Sequence, residues 1–445
     1  MAMSDADAIE KVLELAAGAG ADGCDAMVIN AHGLSATQRL GELEMVESEE
    51  SRRIGVRFFN GRRQAVVSGG DLSPDGLDRL IAQAAAIARE LPEDRYCGLA
   101  EPDQLQSTPA GLETPTSAPP AIDRLIDRAR ACEDAALSIP RITNSEGASA
   151  SWSLERITLG ASNGLRAAYE RPRHSLGVSV IASADGRMEV GYEYRSAVVE
   201  DDLPSPIKIG RDAATRASRK LGARKVATQD VPVVFDPMVA NGLILNFLSL
   251  ISGPRVTQGT TFLKDRMGEA VFSEAIMLRE DPFLAKGLRS RPIDAEGLAP
   301  RAVSLIDAGR LQSWLLDLTS ARQLELAPTG HATRSLSGTP SPNASNVWIE
   351  PGALSRADLL KDVGTGLYVT EFVGRGFDPI TGDYSRGAAG YWIEGGELAF
   401  PVSEVTIAGN LKDMFAHLTP ANDLELRYGV DAPTLAVARM TVGGQ

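Results

Sequence analysis

The sequence predicts an α+β protein in two parts: an N-terminal mixed α/β domain with hairpin sheets and flanking helices over residues 1–222, and a C-terminal, mostly β domain, a curved sheet or barrel-like body, over residues 223–445. Three observations lead there. The 445 residues exceed what one hydrophobic core usually holds, so two units of about 200 residues each are expected. In the first half an order of helix, meander, helix can be read twice, which suggests a structural duplication. In the second half glycine turns recur at short intervals between apolar runs, which suits a curved sheet or barrel.

The elements follow in order. Ser4 offers a cap to an opening helix over residues 5–17, with Ile9, Val12, Leu13 and Ala16 on one face. Strand patterns stand at 24–30, 34–39, 43–48, 54–59 and 64–68, and Asn60-Gly61 marks a hairpin between the last two. Ser73-Pro74 caps and starts a helix through Glu90, whose Leu77, Leu80, Ile81, Ala84 and Ile87 line the inner side. Residues 101–121, rich in Pro, Ser and Thr, read as a surface linker. A second set comprises a helix over 122–137, strands at 148–159, 165–169, 175–182 and 188–194 with turns at Asn163-Gly164 and Asp185-Gly186, and a helix over 206–221. The composition changes over 223–230. A strand at 231–235 then leads through Asp236-Pro237 into an apolar helix ending near residue 251. Beyond it lie a hairpin around Asp307-Ala308-Gly309 and a short helix near 357–361. In a final hairpin Tyr391-Trp392-Ile393 and the run 398–402 flank Gly395-Gly396, a two-residue loop that needs positive φ at both places. The segment 381–387 ahead of it reads as a polar loop whose glycines let other backbone come close.

Composition excludes several classes. A formal charge of -14 opposes binding to a phosphate backbone, which depends on Lys and Arg releasing counterions, so no nucleic-acid partner is expected. The basic run from Lys208 to Lys225 reads as a solvated helix face. Cys24, Cys97 and Cys132 are odd in number and widely spaced, so they read as thiols of a cytoplasmic protein and not as a disulfide frame or zinc knuckle. The N-terminus carries acids at once, unlike a signal peptide, and no apolar run approaches the roughly 20 residues of a membrane helix. No Walker pattern occurs, and the GxSxG run at 160–164 falls on the Asn163-Gly164 dipeptide that reads as a hairpin turn, not as the strand-to-helix elbow of a serine hydrolase.

The run TGDYSRGAAGYWIEGGELAFPVSEVTIAGNLKDMF, starting at Thr381, resembles the C-terminal signature of the TldD/PmbA family, in its PmbA (TldE) branch. That family comprises zinc metallopeptidases and their paired subunits. The likeness extends to Ser252-Gly253, to Lys286-Gly287 and the segment through Gly297, to 328–334 and to 367–370. In the catalytic branch a helix bearing HExxxH and a cysteine near the C-terminus bind zinc. Here Leu245 and Leu250 stand where the two histidines would be, Asn246 where the glutamate would be, and Ala432 or its neighbours where the cysteine would fall. Leucine has no lone pair to donate and an amide is no general base. The resemblance therefore implies no metal in this chain and a zinc ion in a TldD-like catalytic partner.

His32, His174, His331 and His417 are far apart, so no pair has the spacing of one helix turn. His331, beside Thr329, Thr333 and Arg334, is either a functional or a structural hydrogen-bonding histidine. With Arg334 it is one candidate for binding an extended peptide. Asp383, Arg386 and Gly387 are the others, beside a hairpin edge to which the peptide would add as a strand. The reading implied is a PmbA/TldE-like subunit of a two-chain metallopeptidase acting on unfolded or extended peptides, as a heterodimer with that partner or as a homodimer. Two alternatives stay open: a peptide-binding or scaffolding homodimer without catalysis, and a peptidase whose metal site is assembled across the fold.

Overall fold

The computed structural model describes residues 3–106, 111–112, 118–374 and 376–444. Of the linker expected over 101–121, residues 107–110 and 113–117 lie outside the described residues; Pro102–Gln104 forms a single 3₁₀ turn.

The N-terminal elements are α1 (Asp5–Gly18), β1 (Gly23–Arg39), β2 (Glu42–Asn60), β3 (Arg63–Gly69), α2 (Pro74–Glu90), α3 (Ile122–Leu137), β4 (Ile142–Ala161), β5 (Arg166–Ala184), β6 (Arg187–Ala197) and α4 (Pro206–Lys220). The strands form one antiparallel sheet in the order β3-β2-β1-β4-β5-β6. The two meanders thus meet at the β1–β4 pair, and the helix, meander, helix order occurs on each side of it. Ser4, Ser73 and Ser205 cap α1, α2 and α4, each accepting a first-turn N–H.

The strand readings need correction in two regions. The breaks expected at 31–33, at 49–53 opposite it, and at 170–174 are not turns: β1, β2 and β5 run straight through them. At the first, the strand leaves the core, so its polarity rises while pairing continues through His32 opposite Glu50 and Leu154. At the second, Pro172 opposes Leu154 on one side only, because β6 begins pairing at His174, so its missing N–H costs no ladder bond. Ile87 was expected on the inner side of α2 but is 37% exposed, and Ala84, Ala85 and Ala88 carry the contact.

All four helices cover one side of the sheet. Cys24, Ala26, Val28, Ile54, Val56 and Phe58 pack on α1 and α2, and Ala148, Ala150, Leu176, Val178 and Val180 pack on α3 and α4. The alternate residues, among them Met27, Ile157 and Leu159, face the C-terminal half and pack with Ile293.

There β7 (Gln229–Phe235) leads into α5 (Pro237–Leu250), and β8 (Gly366–Val373), β9 (Asp383–Glu394), β10 (Glu397–Asn410) and β11 (Leu435–Gly443) follow. Their order β10-β9-β8-β7-β11 closes on itself, because Thr406 to Ala408 of β10 also pair with β11. The result is a five-stranded barrel, with β7 and β8 parallel and the other pairs antiparallel. Phe247 of α5 meets Phe272 and Phe415 beside it. Gly395 and Gly396 have φ of 58° and 82°, as the hairpin loop requires. Residues 383–387, however, are strand and not loop, paired to β8 at Gly387 and to β10 throughout. The glycine of this stretch most tightly placed is Gly390, where a Cβ would stand 1.9 Å from the Tyr368 carbonyl oxygen. It admits the neighbouring strand, and from Gly387 to Ile393 β9 lies between β8 and β10, which leaves that stretch no open edge for a peptide.

Candidate functional site

Helix α5 starts at Asp236, whose Oδ1 accepts the Met238 N–H and whose Oδ2 accepts the Tyr368 hydroxyl at 2.7 Å. Arg356 lies 4.7 Å over the Tyr368 ring. Burial, then the Asp236 charge, hold the phenol well above its usual pKa. Further along α5, Leu245 is 47% exposed and Leu250 is fully buried. Five residues of α-helix turn by about 140° beyond one full turn, so these two positions face different directions. Asn246, half buried between them, offers only a carboxamide. Among the described residues no group of three or more His, Cys, Asp or Glu is arranged to hold a metal ion. At the C-terminal position Ala432 is buried, and the neighbouring Asp431 accepts the N–H groups of Arg427, Tyr428 and Gly429.

Between α4 and the barrel lies a cavity of about 360 Å³ beside Asp236 and Tyr368. The basic run on α4 is only partly the solvated face expected of it. Lys208 pairs with Asp212 in solvent, but Arg216 and Lys220 turn inward and pair with Glu193 and Glu371. Its inner cations are thereby neutralised.

The polar seam between the halves is more unusual. Arg57 donates from Nε to Asp25 Oδ2 at 2.7 Å, and Arg334 Nη1 lies 2.7 Å from Asp25 Oδ1. Glu296 Oε1 stands 3.9 Å from Arg57, while its Oε2 accepts the Leu318 N–H at 2.8 Å. All four side chains are buried. Burial pushes the Glu296 carboxyl up to about 8; Asp294 and Asp317 add to the rise and Arg57 opposes it. Asp294, also raised by burial, accepts the N–H groups of Glu296, Leu298 and Ala332. Arg57 also borders a larger cavity, about 710 Å³, where Thr257, Gln258, Asp317 and Ser320 contribute polar groups. A proton-holding carboxyl near a roomy cleft is the kind of arrangement functional sites use.

The five nominated residues do not come together. His331 is buried, with Nδ1 at 2.7 Å from Thr329 Oγ1 and Nε2 at 2.9 Å from Glu280 Oε2. Glu280 in turn accepts the N–H and hydroxyl of Ser345. Burial would raise the Glu280 carboxyl, but His331 and Ser345 outweigh it and hold it low. Both ring nitrogens thus have partners within the fold. Arg334 belongs to the seam. Asp383 and Arg386 lie on β9 and do not pair with each other. Asp383 accepts from Thr381 and Asn410, whereas Arg386 donates to the Gly374 carbonyl and stacks 4.0 Å over Phe372. Gly387 faces Val373 of the adjacent strand. Sequence reasoning missed Asp25, Arg57 and Glu296. The available signal was a charge inside an apolar strand pattern, CDAMV and IGVRFF, where a lone ionised side chain would be costly without a partner.

Comparison with known proteins adds an independent line. The models of the PmbA/TldA metallopeptidase family match as domain 1 at residues 24–88, the central domain at 115–221 and the C-terminal domain at 228–444. The chain is 38% identical over 441 residues to Metalloprotease PmbA of Escherichia coli O157:H7, covering 99% of this chain and 96% of that one. A solved structure from Bacteroides thetaiotaomicron, described as a candidate modulator of DNA gyrase, superposes with a TM-score of 0.91 at 25% identity over the whole of both chains. TldE from Thermococcus kodakarensis shares the fold with a TM-score of 0.86 at 21% identity, over 98% of this chain and all of that one.

Proposed function

Since the chain belongs to the PmbA/TldD metallopeptidase family, we propose that it is the PmbA/TldE-like subunit of a two-chain peptidase, holds no zinc itself, and works with a TldD-like partner on unfolded or extended peptides in the cytoplasm. The observation that carries the reading is the chemistry of α5. Where the catalytic branch needs imidazole and carboxylate, this helix offers Leu245, Asn246 and Leu250, and none of the three can hold zinc or take a proton from its bound water. The cysteines do not replace them. Burial raises the thiols of Cys24, Cys97 and Cys132, the last to about 12, which leaves little thiolate for coordination or attack.

Two measurements test the proposal. Metal analysis of the purified, dialysed chain is expected to find well under one zinc per molecule. Peptide cleavage is expected from a mixture with an HExxxH-bearing homologue and not from this chain alone. Stoichiometric zinc would support a peptidase in its own right, and a homologue equally active with and without this chain would support the non-catalytic homodimer. The nominated Arg386 is tested in the same assay. If the β9 surface grips peptide, Arg386→Ala lowers cleavage by the assembled complex about tenfold, the loss of roughly 1.4 kcal/mol of binding.

A further inference from the structure

We infer that a second cavity, on the helix-free side of the N-terminal sheet, binds the terminal carboxylate of a peptide whose last residue is apolar. The cavity holds about 360 Å³ between β4 and β5 on one side and residues 288–295 and 332–344 on the other. Five arginines line it, namely Arg171, Arg173, Arg289, Arg291 and Arg334, with no lysine and with Glu155 as the one acidic residue. In a chain of net charge -14 such a concentration of one sign is not a consequence of composition.

What separates this cavity from the one beside α4 is that most of its arginines lack a close ion-pair partner, although Glu280 and Asp294 attract Arg291 from behind. Arg334 is paired with Asp25. Among the described residues Arg171, Arg173, Arg289 and Arg291 form no ion pair. The nearest acids behind them are committed elsewhere, Glu280 to His331 and Ser345 and Asp294 to three backbone N–H groups. Asn343 holds two of the guanidinium groups together, its Oδ1 accepting from Arg289 at 2.8 Å and its carbonyl from Arg291 at 2.6 Å. Arg291 is 4% exposed, and its Nε has no hydrogen-bond partner. Burial, then repulsion from Arg291, make Arg289 easier to deprotonate than an ordinary arginine; Glu280 opposes the shift, and Arg171 and Arg173 add to it. Like charges gathered in a partly desolvated space are unfavourable until an anion joins them.

The shape of the donors and the floor narrows that anion. Guanidinium groups are planar forks that match carboxylate or phosphate oxygens in pairs, which the point charge of a lysine does not. Met27, Ile29, Ile157 and Leu159 pave the sheet side of the same cavity. The ligand is thus an anionic end attached to an apolar body, and a peptide C-terminus with an aliphatic last side chain supplies both. That occupant rests on the peptide reading above, whereas the anion site itself does not.

The test uses this chain alone. An N-terminally labelled tetrapeptide ending in leucine is titrated as free acid and as C-terminal amide, followed by anisotropy, against wild type, Arg289→Lys, and the double variant Arg171→Gln/Arg173→Gln. Arg171 and Arg173 are exposed on β5, so the double variant is expected to keep the wild-type melting temperature. The acid should bind at least tenfold more tightly than the amide, and more weakly as salt rises. The double variant should lose most of that preference, and Arg289→Lys, which keeps charge but not the fork, should lose part of it. Acid and amide binding alike, or an unaffected double variant, would overturn the site. Inorganic phosphate binding in wild type but not in the double variant, with no acid preference, would overturn the peptide occupant. Cleavage restored in the two-chain assay without any acid preference would sink this inference alone. Acid preference without restored cleavage would instead count against the two-chain peptidase.

Discussion

The two sides of the N-terminal sheet are made by alternate residues of the same strands, yet they solve different problems. On β1, Cys24, Ala26 and Val28 point to the helices, while Asp25, Met27 and Ile29 point to the C-terminal half. The helix side is mainly aliphatic, with Glu193 held by Arg216 of α4 and Glu133 of α3 as its buried charges, and it is limited by volume: a Cβ on Gly191 would stand 2.3 Å from the Ala217 nitrogen, so α4 lies directly on β6. The other side places Asp25, Arg57, Arg334 and Glu296 out of water. The contrast teaches that burial alone does not define a core. One side is held mainly by area, and its aliphatic contacts should be nearly indifferent to pH. The other is held by paired charges whose worth depends on every partner being present.

The strongest way to break that contrast is Arg57→Ala. It leaves Asp25 with one guanidinium partner and Glu296 with none. Removing one member of a buried charged group typically costs about 3–5 kcal/mol, and equilibrium urea unfolding should show a loss of that size. A loss below about 1 kcal/mol would mean that the seam is hydrated and its charges weakly coupled. Next comes Glu296→Gln, which keeps an acceptor for the Leu318 N–H. The Glu296 carboxyl, at about 8 when folded against an ordinary 4.5, is neutral in both states below pH 4.5. As pH rises toward 8 the unfolded chain releases its proton first, so wild type loses stability across that window. Above about 8 the loss is complete. The variant should therefore gain on wild type steadily between these limits, by up to several kcal/mol, since each tenfold in proton affinity is worth about 1.4 kcal/mol. A difference that stays flat from pH 5 to 9 would show Glu296 ionised beside Arg57. On the helix side, Gly191→Ala forces α4 outward and should cost about 1–3 kcal/mol, as overpacking does, with no pH dependence.

The same alternation explains what the sequence disclosed. Helix ends were legible because caps and prolines act locally: Ser73 and Asp236 sit where their side chains accept first-turn N–H groups. The turns at Asn163-Gly164, Asp185-Gly186 and Gly395-Gly396 were legible because their dipeptides need positive φ. Strand lengths were not, since β1 and β5 continue past the core, where apolar alternation stops but pairing does not. The barrel closes because β11, at the end of the chain, pairs with β10 on one side and on the other with β7, which precedes α5, and no local pattern records such pairing. The seam was hidden for a similar reason. Arg334 was singled out from its neighbours in sequence, but its meaning comes from Asp25 and Gly55 at the far end of the chain.

The smallest expected effect sharpens the comparison at its apolar end. By sequence periodicity Ile87 belongs with Leu77, Leu80 and Ile81, yet it is 37% exposed where Leu77 is fully buried. If the helix side is governed by depth alone, the two truncations should separate widely. Leu77→Ala removes fully buried methyl groups and should cost about 2–5 kcal/mol. Ile87→Ala loses little burial, and alanine's better helix propensity, worth a few tenths of a kcal/mol over isoleucine, offsets much of that loss. A net change within about 0.5 kcal/mol in urea unfolding is therefore expected. A loss above 1 kcal/mol that appears only at high protein concentration would mean that the outer side of α2 is covered in solution, and the apolar face would then extend to a contact between chains.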